Sequence, residues 1–206
     1  MDSKGFHFEY AASEVVSDEY IGLLDKEEYN SAICHVSKLI NAAFLLFMGD
    51  HFSSSVFLSI TVFEEIAKIK SGHMRSWGEQ EKPLVKRNKD PLFNHGKKHK
   101  IAIDPIYLIG KRISKSIGDE RAKEFFEKYE TGEYSKLREK SLYFSRSKEG
   151  LHIPSEEIGL TLSAEHLLIA MEIFHDEFFG MTDKASEVCD TINILYAEVE
   201  SRLKSS

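Results

Sequence analysis

The spacing of apolar residues is the feature that most constrains the fold, because they recur every three or four positions along most of the chain. Between Asp25 and Met48 this spacing predicts one amphipathic helix. Its apolar positions are Tyr29, Ala32, Ile33, Val36, Leu39, Ile40, Ala43, Phe44 and Phe47. From His51 to about Arg75 the apolar residues lie nearly all round, which predicts a helix at the centre of a bundle. Gly49-Asp50 predicts a tight corner between the two.

The middle of the chain is predicted to be more broken. Asp90-Pro91 and Asp104-Pro105 each resemble a helix cap followed by Pro at the first helical position. The stretch from Pro91 to Ser116 is therefore predicted to be one kinked helix or two short ones. A charged helix is predicted from Glu120 to about Tyr134, with a continuation to Lys140. Ser141 to Pro154 predicts an ordered loop or a short strand pair.

The last region carries two apolar stripes at helical spacing, one starting at Leu160 and the other at Met181. Gly180, between them, either divides two helices or bends one. No stretch alternates with period two for more than a few residues. The predicted fold class is therefore all-α, an antiparallel up-and-down bundle of about five to six helices in a single domain over residues 1–206.

Composition excludes several classes of protein. Charged residues make up 30% and hydrophobic residues 42%, which excludes wholesale disorder. Two cysteines, Cys34 and Cys189, cannot form a disulfide framework or a four-ligand zinc site. The first residues lack the apolar region of a signal peptide, and the longest apolar runs are shorter than the roughly 20 residues of a membrane span. We therefore expect a cytoplasmic protein that does not contact a membrane.

Charge is unevenly distributed along the chain. The net charge is −7, yet Lys68 to Lys100 contains ten Lys and Arg against three Asp and Glu. Such a basic segment predicts an anion site, for which RNA phosphate is the obvious ligand. The candidate RNA-binding residues are Lys86, Arg87, Lys97, His99 and Lys100. A solvated surface loop with no ligand is the alternative.

Two groups of residues are candidates for chemistry. Glu64 lies at the edge of the apolar face of the second helix and precedes Lys68 by four residues, the favoured order for an ion pair. The pair either ties the bundle together or supplies a site carboxylate. In the second group, a helix opened by Pro91 would place His95, Lys98 and His99 on one face, as a set for phosphate contact and proton transfer.

A metal ion is a further possibility for these residues. His95 and His99 are spaced as i and i+4, and Glu64 could be a third ligand. The neighbouring lysines would repel a cation, so we predict no metal ion. Neither a P-loop nor a G-x-G-x-x-G motif occurs, so we predict no other cofactor.

The order of several short motifs is similar to that of a known family. Glu64-Glu65-x2-Lys68 is followed by His95-x2-Lys98 and then by Leu137-Arg-Glu-x2-Leu-Tyr-Phe144. This combination resembles the AbiV-type abortive infection proteins, a branch of the HEPN superfamily, over roughly residues 28–178. Residues 182–205 would form a C-terminal helical extension.

The resemblance implies a helical bundle that is commonly a homodimer, and a superfamily in which many members are metal-independent endoribonucleases. It also implies defence against phage, with translation shut down in the infected cell. The motif match marks Glu64, Lys68, His95 and Lys98 as candidate catalytic residues. In that scheme His95 is the base, Lys98 holds the phosphate, and Glu64 orients the site with Lys68.

One feature of the superfamily is missing at His95. Its members carry an Arg with four to six residues between it and the His, whereas seven residues separate Arg87 from His95 and only Lys89 has the right spacing. Arg146-x5-His152 has the right spacing, but about one such match is expected by chance in this chain.

The function predicted is a phage-defence effector that acts on RNA or the ribosome. The alternative is a non-catalytic module that dimerises and binds a partner such as a phage protein.

Overall fold

The computed structural model describes residues 4–76, 81–103 and 111–205, and these ranges contain ten α-helices and four two-residue strands. The α-helices are α1 Lys4–Ser13, α2 Lys26–Met48, α3 Phe52–Arg75, α4 His95–Ala102, α5 Lys111–Ile117, α6 Asp119–Thr131, α7 Leu137–Lys140, α8 Pro154–Glu157, α9 Leu160–Phe178 and α10 Asp183–Lys204. The strands are β1 Val16–Ser17, β2 Leu84–Val85, β3 Ser145–Arg146 and β4 Leu151–His152. The all-α prediction is confirmed, although the described helices outnumber the five to six expected.

The two predicted N-terminal helices, α2 and α3, are present within one residue of their expected bounds. Asp25 caps α2 by accepting a hydrogen bond from the backbone of Glu28, and Asp50 turns the corner with a φ of 63°. Helix α3 is buried on most sides and packs against α2, α9 and α4. It is therefore the central helix that its apolar pattern predicted.

Helix α2 is also the one helix in the described ranges that is long and apolar enough to cross a membrane. Its buried residues, from Tyr29 to Phe47, pack against α3, α9 and α10. A core helix meets the same criterion of length and composition. The absence of membrane contact stays a prediction.

Glycine decides where two other helices end. Gly180 has a φ of 82° between α9 and α10, so the C-terminal region is two helices rather than one bent helix. Gly132, with a φ of 80°, ends α6 at Thr131, and a 3₁₀ turn, Glu133–Lys136, leads into α7. The continuous helix predicted from Glu120 to Lys140 was therefore wrong.

The remaining short elements follow the breaks in the sequence. After the cap at Asp90, Pro91–Phe93 forms a 3₁₀ turn, and Asn94 caps a separate helix, α4. The predicted cap at Asp104-Pro105 lies outside the described residues. Strands β3 and β4 form an antiparallel pair, which confirms the strand pair expected between Ser141 and Pro154. The parallel pair of β1 with β2 was not predicted.

Candidate active site around Glu64

The carboxylate of Glu64 lies between α3 and α4 and contacts three side chains of α4. Lys98 Nζ donates to Oε2 at 2.5 Å, and His95 Nδ1 lies 2.7 Å from Oε1. His99 Nε2 lies 3.3 Å from the same oxygen. Positions 95, 98 and 99 share one face of α4, as their spacing predicted, and that face is turned toward Glu64.

A buried ion pair holds α4 in place. Arg75, at the end of α3, donates to both carboxylate oxygens of Asp90, and both side chains are completely buried. Asp90 also accepts from the backbone of Leu92, which opens the turn before α4. Asn94 then caps α4 by accepting from the backbone of Lys97. This chain of contacts fixes where His95 begins its helix.

Glu64 remains ionised although it is only 3% exposed. Burial by itself would raise its pKa. Hydrogen bonds from His99 and Lys98, together with the positive charges of Lys98 and His95, outweigh burial and hold the pKa of Glu64 far below its usual value. The site therefore contains a buried carboxylate that is ionised at neutral pH.

That carboxylate determines what His95 can do. An ionised Glu64 can only accept, so Nδ1 of His95 carries a hydrogen, and in the neutral form of the ring the lone pair is on Nε2. Half of the His95 side chain is exposed, at 51%, whereas Lys98 and His99 are enclosed. His95 is thus the one member of the α4 face that offers a proton acceptor to solvent.

Lys98 does not present its charge to solvent. Its side chain is 7% exposed, and its ammonium group is paired with Glu64. The expectation that Lys98 holds an RNA phosphate does not fit this geometry, because the ammonium neutralises the buried carboxylate instead.

Arg138 joins the site from α7, and the scheme drawn from the sequence gave it no role. Its Nε lies 3.6 Å from Glu64 Oε1, and its guanidinium stacks over the ring of Phe57, 4.7 Å from the centroid. The Nε atom is buried and has no hydrogen-bond partner among the described residues. Its position in the Leu137-to-Phe144 motif was the feature of the sequence that could have identified Arg138 as a site residue. No Arg stands at the expected distance before His95 in the sequence, but Arg138 and His95 both approach the same oxygen of Glu64.

Lys68 is outside the site. Its Nζ donates to Glu65 Oε1 at 2.6 Å, so the predicted pair with Glu64 is wrong. Glu64 points inward to α4, while Glu65, on the next position of α3, remains partly exposed beside Lys68. The neighbouring helix therefore decides which glutamate Lys68 contacts.

The five candidate RNA-binding residues lie in different surroundings. Lys86 is exposed, and Arg87 is exposed but pairs with Glu19. Lys97 is half-buried, and Lys100 places its Nζ over the ring of Phe8. His99 is only 1% exposed and packs against Tyr129, so it can position Glu64 but cannot reach a ligand at the surface.

The chance match Arg146-x5-His152 is not a second site. His152 uses both ring nitrogens, one toward the carbonyl of Lys140 at 2.8 Å and the other toward Glu157 at 2.6 Å. These two contacts raise the pKa of His152, in that order of importance. The imidazole of His152 therefore connects the hairpin formed by β3 and β4 to α7 and α8. Because both ring nitrogens are engaged, neither is free to act as a base.

The described ranges contain no group of three or more His, Cys, Asp and Glu side chains arranged to hold a metal ion. Glu64, His95 and His99 do meet, but they contact one another directly, and Lys98 and Arg138 add positive charge around the carboxylate. These positive charges oppose the binding of a cation at Glu64.

One of three comparisons with known proteins found a match, and it is to the family that the motifs resemble. No curated protein and no solved structure matches the chain. The sequence model of the AbiV family, described as HEPN_AbiV, matches residues 26–175, which is most of the chain and includes α2 to α4, α7 and most of α9. Glu64, His95, Lys98 and Arg138 all lie within the matched range. The chain therefore belongs to the AbiV family of HEPN proteins.

Proposed function

We propose that this protein is a phage-defence effector that acts on RNA and cleaves it without a metal ion. Membership of the AbiV family supports a role in abortive infection. The observation that carries the proposal is the contact between Glu64 and His95, which leaves Nε2 of an exposed imidazole free as a proton acceptor.

RNA supplies the nucleophile in the proposed reaction. His95 Nε2 takes the proton of a ribose 2′-hydroxyl, and the 2′-oxygen attacks the adjacent phosphorus. The bond from phosphorus to the 5′-oxygen breaks, and that oxygen accepts a proton from solvent. The products are a 2′,3′-cyclic phosphate and a 5′-hydroxyl end, so no oxidant, metal or cofactor is consumed.

The other residues of the site support this step. Glu64 is a positioning residue, because it orients the ring of His95 and stabilises its protonated form. Arg138 is the cation placed to offset the charge that builds on the phosphate oxygens. Lys98 and His99 hold Glu64 ionised in its buried position.

The test is incubation of the purified protein with total RNA and ribosomes in EDTA, read on a sequencing gel. The variants are His95→Ala and, as a matched control, His35→Ala, which alters an exposed histidine on α2. Discrete cleavage by the wild type and by His35→Ala, lost in His95→Ala, is the expected result. Unchanged cleavage by His95→Ala contradicts the assigned base. A wild-type protein that neither binds nor cuts any RNA contradicts the whole proposal.

A non-catalytic module that dimerises and binds a protein is the second candidate function. It is favoured by an apolar surface where the end of α2 meets α10, formed by Leu45, Met48 and Ile194, which are 62%, 40% and 64% exposed. Met48 and Ile194 also line a groove there, together with Ala197. A stoichiometric protein partner from phage-infected cells, retained by His95→Ala, would favour this candidate. Light scattering of the purified protein tests the predicted dimer.

A further inference from the structure

The segment that follows Arg138 in the chain carries exposed aromatic side chains that the proposed chemistry does not use. Tyr143 is 62% exposed, and Phe144 is 75% exposed. They follow Arg138 in the chain by five and six residues. Leu142 and Leu151, which are 41% and 50% exposed, extend the same region of the chain.

The segment that bears the aromatics is fixed to α7 and to the hairpin. The backbone of Tyr143 donates to the carbonyl of Glu139 at 2.9 Å, and the hydroxyl of Ser141 donates to the carbonyl of Arg138 at 2.8 Å. His152, from β4, contacts the carbonyl of Lys140. The aromatic side chains are thus presented from an anchored backbone, which lowers the entropic cost of binding a ligand there.

Basic residues predominate in the sequence on both sides of these aromatics. Residues 136–148 contain five Lys and Arg and a single Glu. Lys136, Lys140, Arg146 and Lys148 are exposed, and none of them pairs with a carboxylate in the described ranges. Exposed aromatic rings among unpaired cations form the combination that binds single-stranded nucleic acid, in which bases stack on the rings and phosphates meet the cations.

We propose that Tyr143 and Phe144 form a base-stacking platform for unpaired nucleotides of single-stranded RNA, in the segment that continues from Arg138 of the site. The proposal rests on the proposed action on RNA and adds the class of substrate, an unpaired strand rather than a duplex. Bases stacked on the platform hold the strand while Lys140 and Arg146 contact its phosphates. A duplex keeps its bases stacked on one another and cannot use the platform.

The test measures binding of two fluorescein-labelled 12-nucleotide probes with 2′-O-methyl riboses, which lack the nucleophile and cannot be cleaved. One probe is oligoadenylate, and the other has the same backbone without bases. The proteins are the wild type, the double variant Tyr143→Ala with Phe144→Ala, the single variant Phe144→Trp, and Tyr10→Ala. Tyr10 is 59% exposed on α1 and serves as the matched control.

We expect the wild type and Tyr10→Ala to bind oligoadenylate at least tenfold more tightly than the abasic probe, and the double variant to bind both alike, since each stacked base contributes about tenfold. Phe144→Trp should retain the affinity, and its added indole fluorescence should be quenched by oligoadenylate but not by the abasic probe. This second readout does not depend on loss of binding.

Three results would overturn the platform. They are unchanged oligoadenylate binding by the double variant, an equal loss for both probes, and an unquenched indole in Phe144→Trp. If binding persists unchanged in the double variant, the action on RNA survives and the aromatic surface is assigned to a protein partner. If the wild type binds neither probe nor any cellular RNA, the proposed function fails and the platform fails with it.

Discussion

Glu64 Oε1 lies 2.7 Å from His95 Nδ1, although the two residues are 31 positions apart in the chain. Lys98 donates a hydrogen bond to the other carboxylate oxygen of Glu64. The contact joins the central helix of the bundle to the short basic helix α4. Because the carboxylate is buried and ionised, it serves both the stability of the fold and the orientation of the imidazole. Its contribution to stability can be measured by comparing Glu64 with Glu65, its partly exposed neighbour on α3.

Glu64→Gln should destabilise the protein strongly. The change keeps the shape but leaves the ammonium of Lys98 buried without its counter-charge, which costs about 3–5 kcal/mol. Glu65→Gln breaks the partly exposed pair with Lys68 and should cost at most about 1 kcal/mol. Urea unfolding curves give both values. Equal losses for the two variants would show that burial of the Glu64 pair contributes no special stability.

The stability contributed by Glu64 should depend on acid pH. Its folded pKa is depressed, so below about pH 4.5 the unfolded carboxyl takes up a proton while the folded one stays charged. The contribution is therefore complete above that pH and is lost as the pH falls toward the folded pKa. The difference in unfolding free energy between wild type and Glu64→Gln should shrink steadily below pH 4.5. A constant difference down to pH 3 would contradict this.

His166 should make the free energy of unfolding depend on pH in a higher range than Glu64 does. Burial lowers its pKa from 6.5 to about 4, against the opposing hydrogen bond to the carbonyl of Leu162. Between those values the unfolded histidine binds a proton and the folded one does not, so stability falls as the pH drops from 6.5 to 4. The expected loss is about 3 kcal/mol. His166→Gln should remove this part of the pH dependence, and an unchanged profile in urea unfolding would refute it.

The long elements and one face of the site were predictable from the sequence. Helices α2 and α3 follow from sustained three- and four-residue spacing, and the shared face of His95, Lys98 and His99 follows from helical geometry alone. The break at Gly132 was missed because charged residues continue a helical pattern on both sides of it. Whether a glycine adopts a left-handed conformation there depends on packing that the local pattern does not contain.

The contacts of α4 and of Arg138 with Glu64 could not be predicted, because they join segments that are distant in the chain. The segment before α4 is anchored by the pairing of Arg75 with Asp90, and Arg138 follows the turn that leads into α7. Neither contact leaves a spacing signal near His95. The same reason explains why Lys68 was assigned to the wrong glutamate, since the choice depends on which one faces α4.

Arg138 should contribute to RNA cleavage where Lys68 does not. Arg138→Ala removes the guanidinium beside Glu64, and the rate should fall about 100-fold, the usual cost of removing one stabilising donor. Arg138→Lys should recover only part of it, because a lysine cannot stack its charge flat on Phe57. Lys68→Ala, outside the site, should leave the rate unchanged within experimental error. A larger effect from Lys68→Ala than from Arg138→Ala would reverse the assignment.

Asp90→Asn should damage both the fold and the site, because Arg75 would keep a buried charge without a counter-ion and the turn before α4 would lose its charged cap. The expected loss is about 3–5 kcal/mol in urea unfolding. Glu19→Gln is the matched control, since it breaks the exposed pair with Arg87 and should cost under about 1 kcal/mol.

The same variant separates positioning from chemistry. Asp90 contacts neither His95 nor Glu64, yet it holds the turn from which α4 begins. Under conditions where circular dichroism shows that Asp90→Asn is still folded, we expect this variant to cleave RNA more slowly than the wild type. Glu19→Gln should cleave RNA at the wild-type rate. Full cleavage by folded Asp90→Asn would show that α4 reaches Glu64 without the buried pair, and that the placement of His95 is encoded within α4 itself.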